Sequence, residues 1–162
     1  MKIGFLMKTL IENFYNAFNK LDANSMVTCY HDNIVFEDPA FGILKGVHAK
    51  NMWYMLCESQ KGKDFKITYS NIDVNDLNGK AHWEAYYTFS KTGRKVHNVI
   101  EAKFEFMDGK IIKHTDNFDL YKWSIQALGI KGFLLGKTTF FKKKLNSQTN
   151  NLLTKYESSI RK

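Results

Sequence analysis

Apolar residues in the first twenty positions recur at helical spacing. Leu10, Phe14, Phe18 and Leu21 share one face with Ala17 beside them, which predicts an amphipathic helix over residues 6–20. Asp22 or Asn24 can cap a short second helix ending near Tyr30. Ile34-Val35-Phe36 reads as a short strand, stopped by Pro39, which cannot donate into a ladder. A third helix follows Gly46 and runs to about Cys57, with Ala49, Met52, Trp53 and Leu56 inward. After that the period falls to two: Phe65, Ile67 and Tyr69 alternate, and Asn78-Gly79 turns the chain into Trp83, Ala85, Tyr87 and Phe89. Thr92-Gly93 turns it again. Trp123 to Leu128 restarts a helix that Gly129 stops, and a last helix beyond Gly136 carries Phe140, Phe141, Leu145, Leu152, Leu153 and Tyr156 as its stripe. Helices first and an antiparallel meander afterwards predict an α+β fold with the helices on one sheet face.

The stretch Val96 to Leu120 carries the chemistry. It is two alternating strands joined at Asp108-Gly109, and the second strand holds His114 and Asp116 where alternation would place core side chains. A bare two-residue turn sets Phe104 against Lys113. A three-residue loop, Met107-Asp108-Gly109, pairs Phe106 with Lys110 and Phe104 with Ile112. It then sets Ala102 opposite His114, Ile100 opposite Asp116 and Asn98 opposite Phe118. The second register gives a face that is apolar near the turn and polar at its far end, as a lined pocket would be. An edge strand wetting its charges fits the same pattern.

Charge adds a boundary. The formal net charge is +8, but residues 137–162 hold seven cations against Glu157 alone, so the first 136 residues carry only +2. The expected division is a main domain over 1–136 and a basic helical tail over 137–162. A near-neutral main domain argues against a nucleic-acid-binding core. The tail suits a polyanion or a membrane surface, but a solvated terminal helix is the expected reading. Cys29 and Cys57 lie inside helical patterns without paired or metal spacing, which suits free thiols in a reducing cytoplasm. The N-terminal apolar run is too short for a secretory signal, and no window approaches the ~18–20 apolar residues of a membrane span.

The order helix, helix, short strand, Glu37-Asp38-Pro39, Gly46, helix, meander resembles the nuclear-transport-factor-2-like superfamily, and within it the SnoaL-like and ketosteroid-isomerase-like branch. The resemblance covers about residues 6–128, with its best local match in Tyr30-His31-Asp32-Asn33-Ile34-Val35-Phe36-Glu37-Asp38-Pro39. It implies a curved sheet wrapped round helices as a cone with a ligand cavity, and it implies pairing of two copies through the outer sheet face, here His82, Glu84, Tyr86 and Thr88. Asp38 falls where ketosteroid isomerases keep a proton-shuttling aspartate. Their two oxyanion donors fall on Phe14 and Ala102, which cannot donate a hydrogen bond, so that isomerisation is not expected. Limonene-epoxide hydrolases are also similar, through His114-Thr115-Asp116-Asn117-Phe118-Asp119, with Asp116 at a catalytic aspartate. Their Arg-x-Asp pair has no counterpart in the strand 81–90.

The candidate catalytic residues are therefore Asp38, Asp116 and His114, suited to acid–base chemistry once burial moves their proton affinities. Trp53, Trp83, Tyr87 and Phe104 would wall the cavity, and Asn98 would supply a neutral hydrogen bond. The bland alternative is that Asp38 bonds the turn at Pro39 while His114 and Asp116 satisfy each other. His31, His48 and His82 have no ligand spacing, so neither a metal nor a cofactor is expected. Three functions fit: an isomerase, cyclase or hydrolase on an apolar carbonyl or epoxide compound; a non-catalytic binder of a small apolar molecule; or a dimeric interaction module.

Overall fold

The computed structural model describes residues 2–161; Met1 and Lys162, the last cation of the basic segment, lie outside them. The first helix, α1 (Lys2–Asn19), buries Ile11, Phe14, Tyr15 and Phe18. Asp22 then caps α2 (Ala23–Thr28) by accepting from the Ser25 amide at 3.1 Å. Strand β1 (Tyr30–Asp38) ends at Pro39, and a four-residue β2 (Gly42–Lys45), not legible in the alternation pattern, folds back on it. Helix α3 (Val47–Gln60) starts after Gly46 and buries Ala49, Met52, Trp53 and Cys57.

Strands β3 (Lys66–Val74), β4 (Asn78–Phe89), β5 (Arg94–Met107) and β6 (Lys110–Asn117) complete one six-stranded sheet in the order β2-β1-β6-β5-β4-β3. Every neighbour pair is antiparallel except β1 with β6, which run parallel. The sheet is curved and unclosed around the N-terminal helices, and its inner face meets α1 in a core dominated by aromatic rings.

The β5–β6 hairpin corrects the predicted register. Its turn is the two-residue one: Met107 pairs with Lys110, and Asp108 and Gly109 both take positive φ, 52° and 72°. A bulge then intervenes, for Phe106 faces Ile111 and Glu105 faces Lys113, leaving Ile112 as the extra residue. Beyond it, Phe104 faces His114 and Ala102 faces Asp116, where Ile112 and His114 were the partners expected. The expected loop and the observed bulge shift parity equally, so His114 and Asp116 still point inward with Phe104. Ile111 takes the inward place predicted for Ile112.

After β6 the chain folds back as α4 (Leu120–Leu128), α5 (Ile130–Leu135) and α6 (Thr139–Ile160). Helix α4 packs Trp123 and Ala127 on Val96, Tyr87 and Phe89, and the first turns of α6 add Phe141 and Leu145 to this second core. Further along, α6 lies on the β1–β2 turn. Asn146 donates to the Pro39 and Ala40 carbonyls, Thr149 to Ala40 and Asn150 to Phe41. Leu153 enters the main core, and buried Glu157 bonds His48 and Asn51 of α3 at 2.8 and 3.0 Å. The basic segment is thus held to the body by one face while its lysines stay exposed.

Candidate functional site

His114 is fully buried among rings: Phe104 at 4.5 Å between centroids, Phe36 and Phe14 edge-on at 5.3 and 5.4 Å, and Trp53 nearly parallel at 6.1 Å. The Trp53 indole N–H donates to the Tyr30 hydroxyl oxygen at 2.8 Å. Since an indole can only donate, the Tyr30 proton is left for His114 Nδ1, 2.7 Å away. The imidazole proton then sits on Nε2 and points at Asp116 Oδ1 at 3.0 Å. Trp83 Nε1–H donates to that same oxygen at 3.1 Å. Burial, reinforced by the charge of Asp116, pushes the Tyr30 phenol well above its usual pKa, so it remains a donor. The chain of bonds ends on one oxygen of Asp116.

Asp38 reaches the same place from β1. Phe36 pairs with His114 and Glu37 with Thr115, so the parallel register carried one residue further sets Asp38 beside Asp116. Its Oδ1 accepts from the Ala40 and Phe41 amides at 2.9 and 2.6 Å, as the turn-stabilising alternative requires. Among the described residues Oδ2 has no hydrogen-bond partner. Burial raises the Asp38 pKa from 3.8 to about 7, the two amides opposing it and the Asp116 charge adding to it. Asp38 in turn raises the Tyr87 phenol, after burial, while Trp123 Nε1–H donates to the Tyr87 oxygen at 2.7 Å.

This has a measurable consequence for stability. Between pH 4 and about pH 7 the native state holds a proton on Asp38 that the unfolded chain has lost, so stability falls as pH rises through that window. Asp38→Asn keeps the acceptor for both amides and removes the charge. We expect it to raise stability at pH 8 by about 2 kcal/mol, a three-unit shift being discounted because the carboxyl still touches solvent. Urea unfolding of both proteins should converge near pH 4.

The predicted residues come together unevenly. Asp38, Asp116 and His114 share the inner face with Trp83, but Trp53 and Phe104 enclose His114 as fully packed rings. Tyr87 and Asn98 lie half-buried further towards the Val96 end of β5. A separate open groove of about 600 Å³ lies on the outer sheet face beside Lys103, Glu105, Lys113 and Asn117, and neither Asp38 nor Asp116 lines it. Asp119 caps α4 by accepting from the Lys122 amide.

Two tyrosines escaped the sequence reading. Tyr30 opens the best-matching string and orients His114. Tyr15 is fully buried, and its hydroxyl and Gln60 Oε1 are the buried side-chain polar atoms without a partner among the described residues. Burial first, then the nearby charge of Asp116, pushes its phenol well above 10. An unpaired buried hydroxyl costs about 1–3 kcal/mol. The spacing Ile11, Tyr15, Phe18 is the signal that would have marked it as inward.

Helices inside a curved, unclosed sheet with inward carboxylates on β1 and β6 define a cone of the nuclear-transport-factor-2-like superfamily. The chain belongs to the SnoaL-like domain family, whose sequence profile matches residues 11–114. Solved structures agree on the fold. A protein from Jannaschia provisionally designated a SnoaL-like polyketide cyclase superposes with a TM-score of 0.68 at 11% identity, over 80% of this chain and 96% of that one. An LEH-like epoxide hydrolase of M. tuberculosis gives 0.60 at 20% identity, over 82% and 92%. No curated protein matches the chain.

Proposed function

We propose that the protein binds a small apolar molecule at the end of the cone bearing Asp38, Asp116 and Tyr87, and that Asp38 exchanges a proton with it. The observation that carries this is a carboxyl raised to about 7, with one oxygen fixed by two amides and the other free. A group of that pKa is a base or an acid at neutral pH without large cost in either direction. Asp116, oriented through His114 and Trp83, is the second carboxylate, while Asn98 supplies a hydrogen bond to an oxygen of the ligand. His114 itself acts as a positioning residue. The substrate class is a carbonyl or epoxide compound undergoing isomerisation, cyclisation or hydrolysis, in keeping with the epoxide-hydrolase and polyketide-cyclase names of the structural neighbours.

Turnover of a panel of such compounds tests it. Asp38→Asn and Asp116→Asn should each lower kcat by about 10² or more with ligand affinity nearly intact, and the wild-type rate should change through pH 7. A second reading, ligand binding without catalysis, draws on the dense ring packing around His114. It requires that the same variants alter affinity and that no compound turns over.

The protein is proposed to work as a homodimer through the outer sheet face. There Glu84 joins His82, His97 and Tyr86 by hydrogen bonds of 2.9, 2.6 and 2.8 Å, mixing aromatic and polar groups as interfaces do. Light scattering should give twice the chain mass, and a monomer at micromolar concentration would refute this. Buried free Cys29 and Cys57 support a cytoplasmic setting, and no helix among the described residues is long and apolar enough to cross a membrane.

A further inference from the structure

Helix α5 turns one face to the body and another away from it. Gly132 lies so close to α4 that an added Cβ would fall 1.9 Å from the Ser124 carbonyl oxygen. At about 100° per residue, Ile130, Phe133 and Leu134 then occupy the opposite side of this single short helix. They are exposed by 79%, 61% and 68%, and Phe140 at the start of α6 by 67%. Side chains retaining that much surface stand proud of their surroundings. They form a protrusion, not a groove.

The charge of the surrounding segment, from α4 into α6, is of one sign. Residues 120–156 contain seven lysines and no aspartate or glutamate. Lys131 lies within α5, Lys137 stacks over Tyr121 at 4.6 Å, and Lys142, Lys143 and Lys144 follow Phe140 along α6, all exposed. A solvated basic helix accounts for the lysines but not for the apolar side chains among them. Soluble surfaces rarely leave large apolar groups clustered without a use.

We infer that α5 and the start of α6 dock the protein on the surface of an anionic phospholipid bilayer. Ile130, Phe133, Leu134 and Phe140 enter the boundary between headgroups and acyl chains, while the lysine stems reach outward to phosphate and carboxylate headgroups. Convexity favours a bilayer over a protein partner, since a deformable surface accepts projecting side chains without matching pockets. The single sign of charge favours acidic lipid over a second copy of this face, which would bring lysines against lysines. The inference is independent of the acid–base chemistry proposed for the cone.

Cosedimentation of the full chain with extruded vesicles decides it. Vesicles of phosphatidylcholine mixed with phosphatidylserine should bind the protein, pure phosphatidylcholine should not, and raised salt should weaken binding. Lys142→Glu, Lys143→Glu and Lys144→Glu together should lower partition by about 100-fold, at about fivefold per lysine lost. Ile130→Ser, Phe133→Ser and Leu134→Ser together should lower it by about tenfold or more. All these side chains are exposed, so circular dichroism melting should be unchanged. Indifference of the wild-type chain to phosphatidylserine, or full binding by the serine variant, would overturn the inference. So would a dimer that the serine variant dissociates while vesicles are ignored, for the face would then join copies of this chain.

Discussion

Replacing His114 by leucine should cost about 3–5 kcal/mol of stability, a loss seen as a lower midpoint in urea with little change in slope. The volume change is minor. The loss comes from what is left behind: the Tyr30 hydroxyl and Asp116 Oδ1 each lose their link to the ring in a site without room to rehydrate. An uncompensated buried carboxylate is the larger of these, because Trp83 remains its one indole donor. Adding Tyr30→Phe and Asp116→Leu to the same protein removes the orphaned hydroxyl and carboxylate but leaves the Trp53 and Trp83 indole donors without acceptors, so it should recover only part of the loss. A His114→Leu protein that loses under 1 kcal/mol would mean that the Tyr30–His114–Asp116 chain does not hold the core.

Gly132→Ala should be nearly as costly, at about 3 kcal/mol, for a different reason. The new methyl would lie 1.9 Å from the Ser124 carbonyl oxygen and 2.3 Å from its carbon, and both belong to the backbone of α4. No rotamer relieves a clash between two backbones, so α5 must move away as a body. The Ser124 hydroxyl bond to the Gly132 carbonyl at 3.2 Å is lost with it. Gly4→Ala, which meets nothing within 4 Å, is the matched control and should be neutral or stabilising by under about 1 kcal/mol. Hydrogen exchange would show whether the Gly132→Ala loss is confined to residues 129–138, and thermal melting would give its size.

The long elements were legible because their periods repeat. Phe14 and Phe18 need a helix to share a face, and Trp83, Ala85 and Tyr87 need a strand. Register was harder. Ile111 and Ile112 are adjacent and equally apolar, so either can take the inward place, and the sequence does not say which is the bulged residue. The correct face for His114 and Asp116 survived because both placements change parity by one. Strand β2 has only Leu44 pointing into the core, too little for alternation to register. The pairing of β1 with β6 joins residues about eighty apart, and nothing local encodes it. Asp38 was therefore reachable only through the family resemblance, although its neighbour across the parallel pair was already a candidate. Tyr15 was overlooked because Phe14 drew the inward stripe one residue to the side.

The clamp on the Asp38 turn also fixes an order of events. Asn146 and Asn150 hold the carbonyls of Pro39, Ala40 and Phe41 from more than a hundred residues downstream. During synthesis the sheet around His114 can be complete, with β1 paired to β6, while those three carbonyls still face water. A nascent chain short of residue 146 carries the Asp38 turn without these clamps. The brace on the Asp38 turn is thus made only when residues more than a hundred positions downstream have emerged, after the sheet it steadies can already stand.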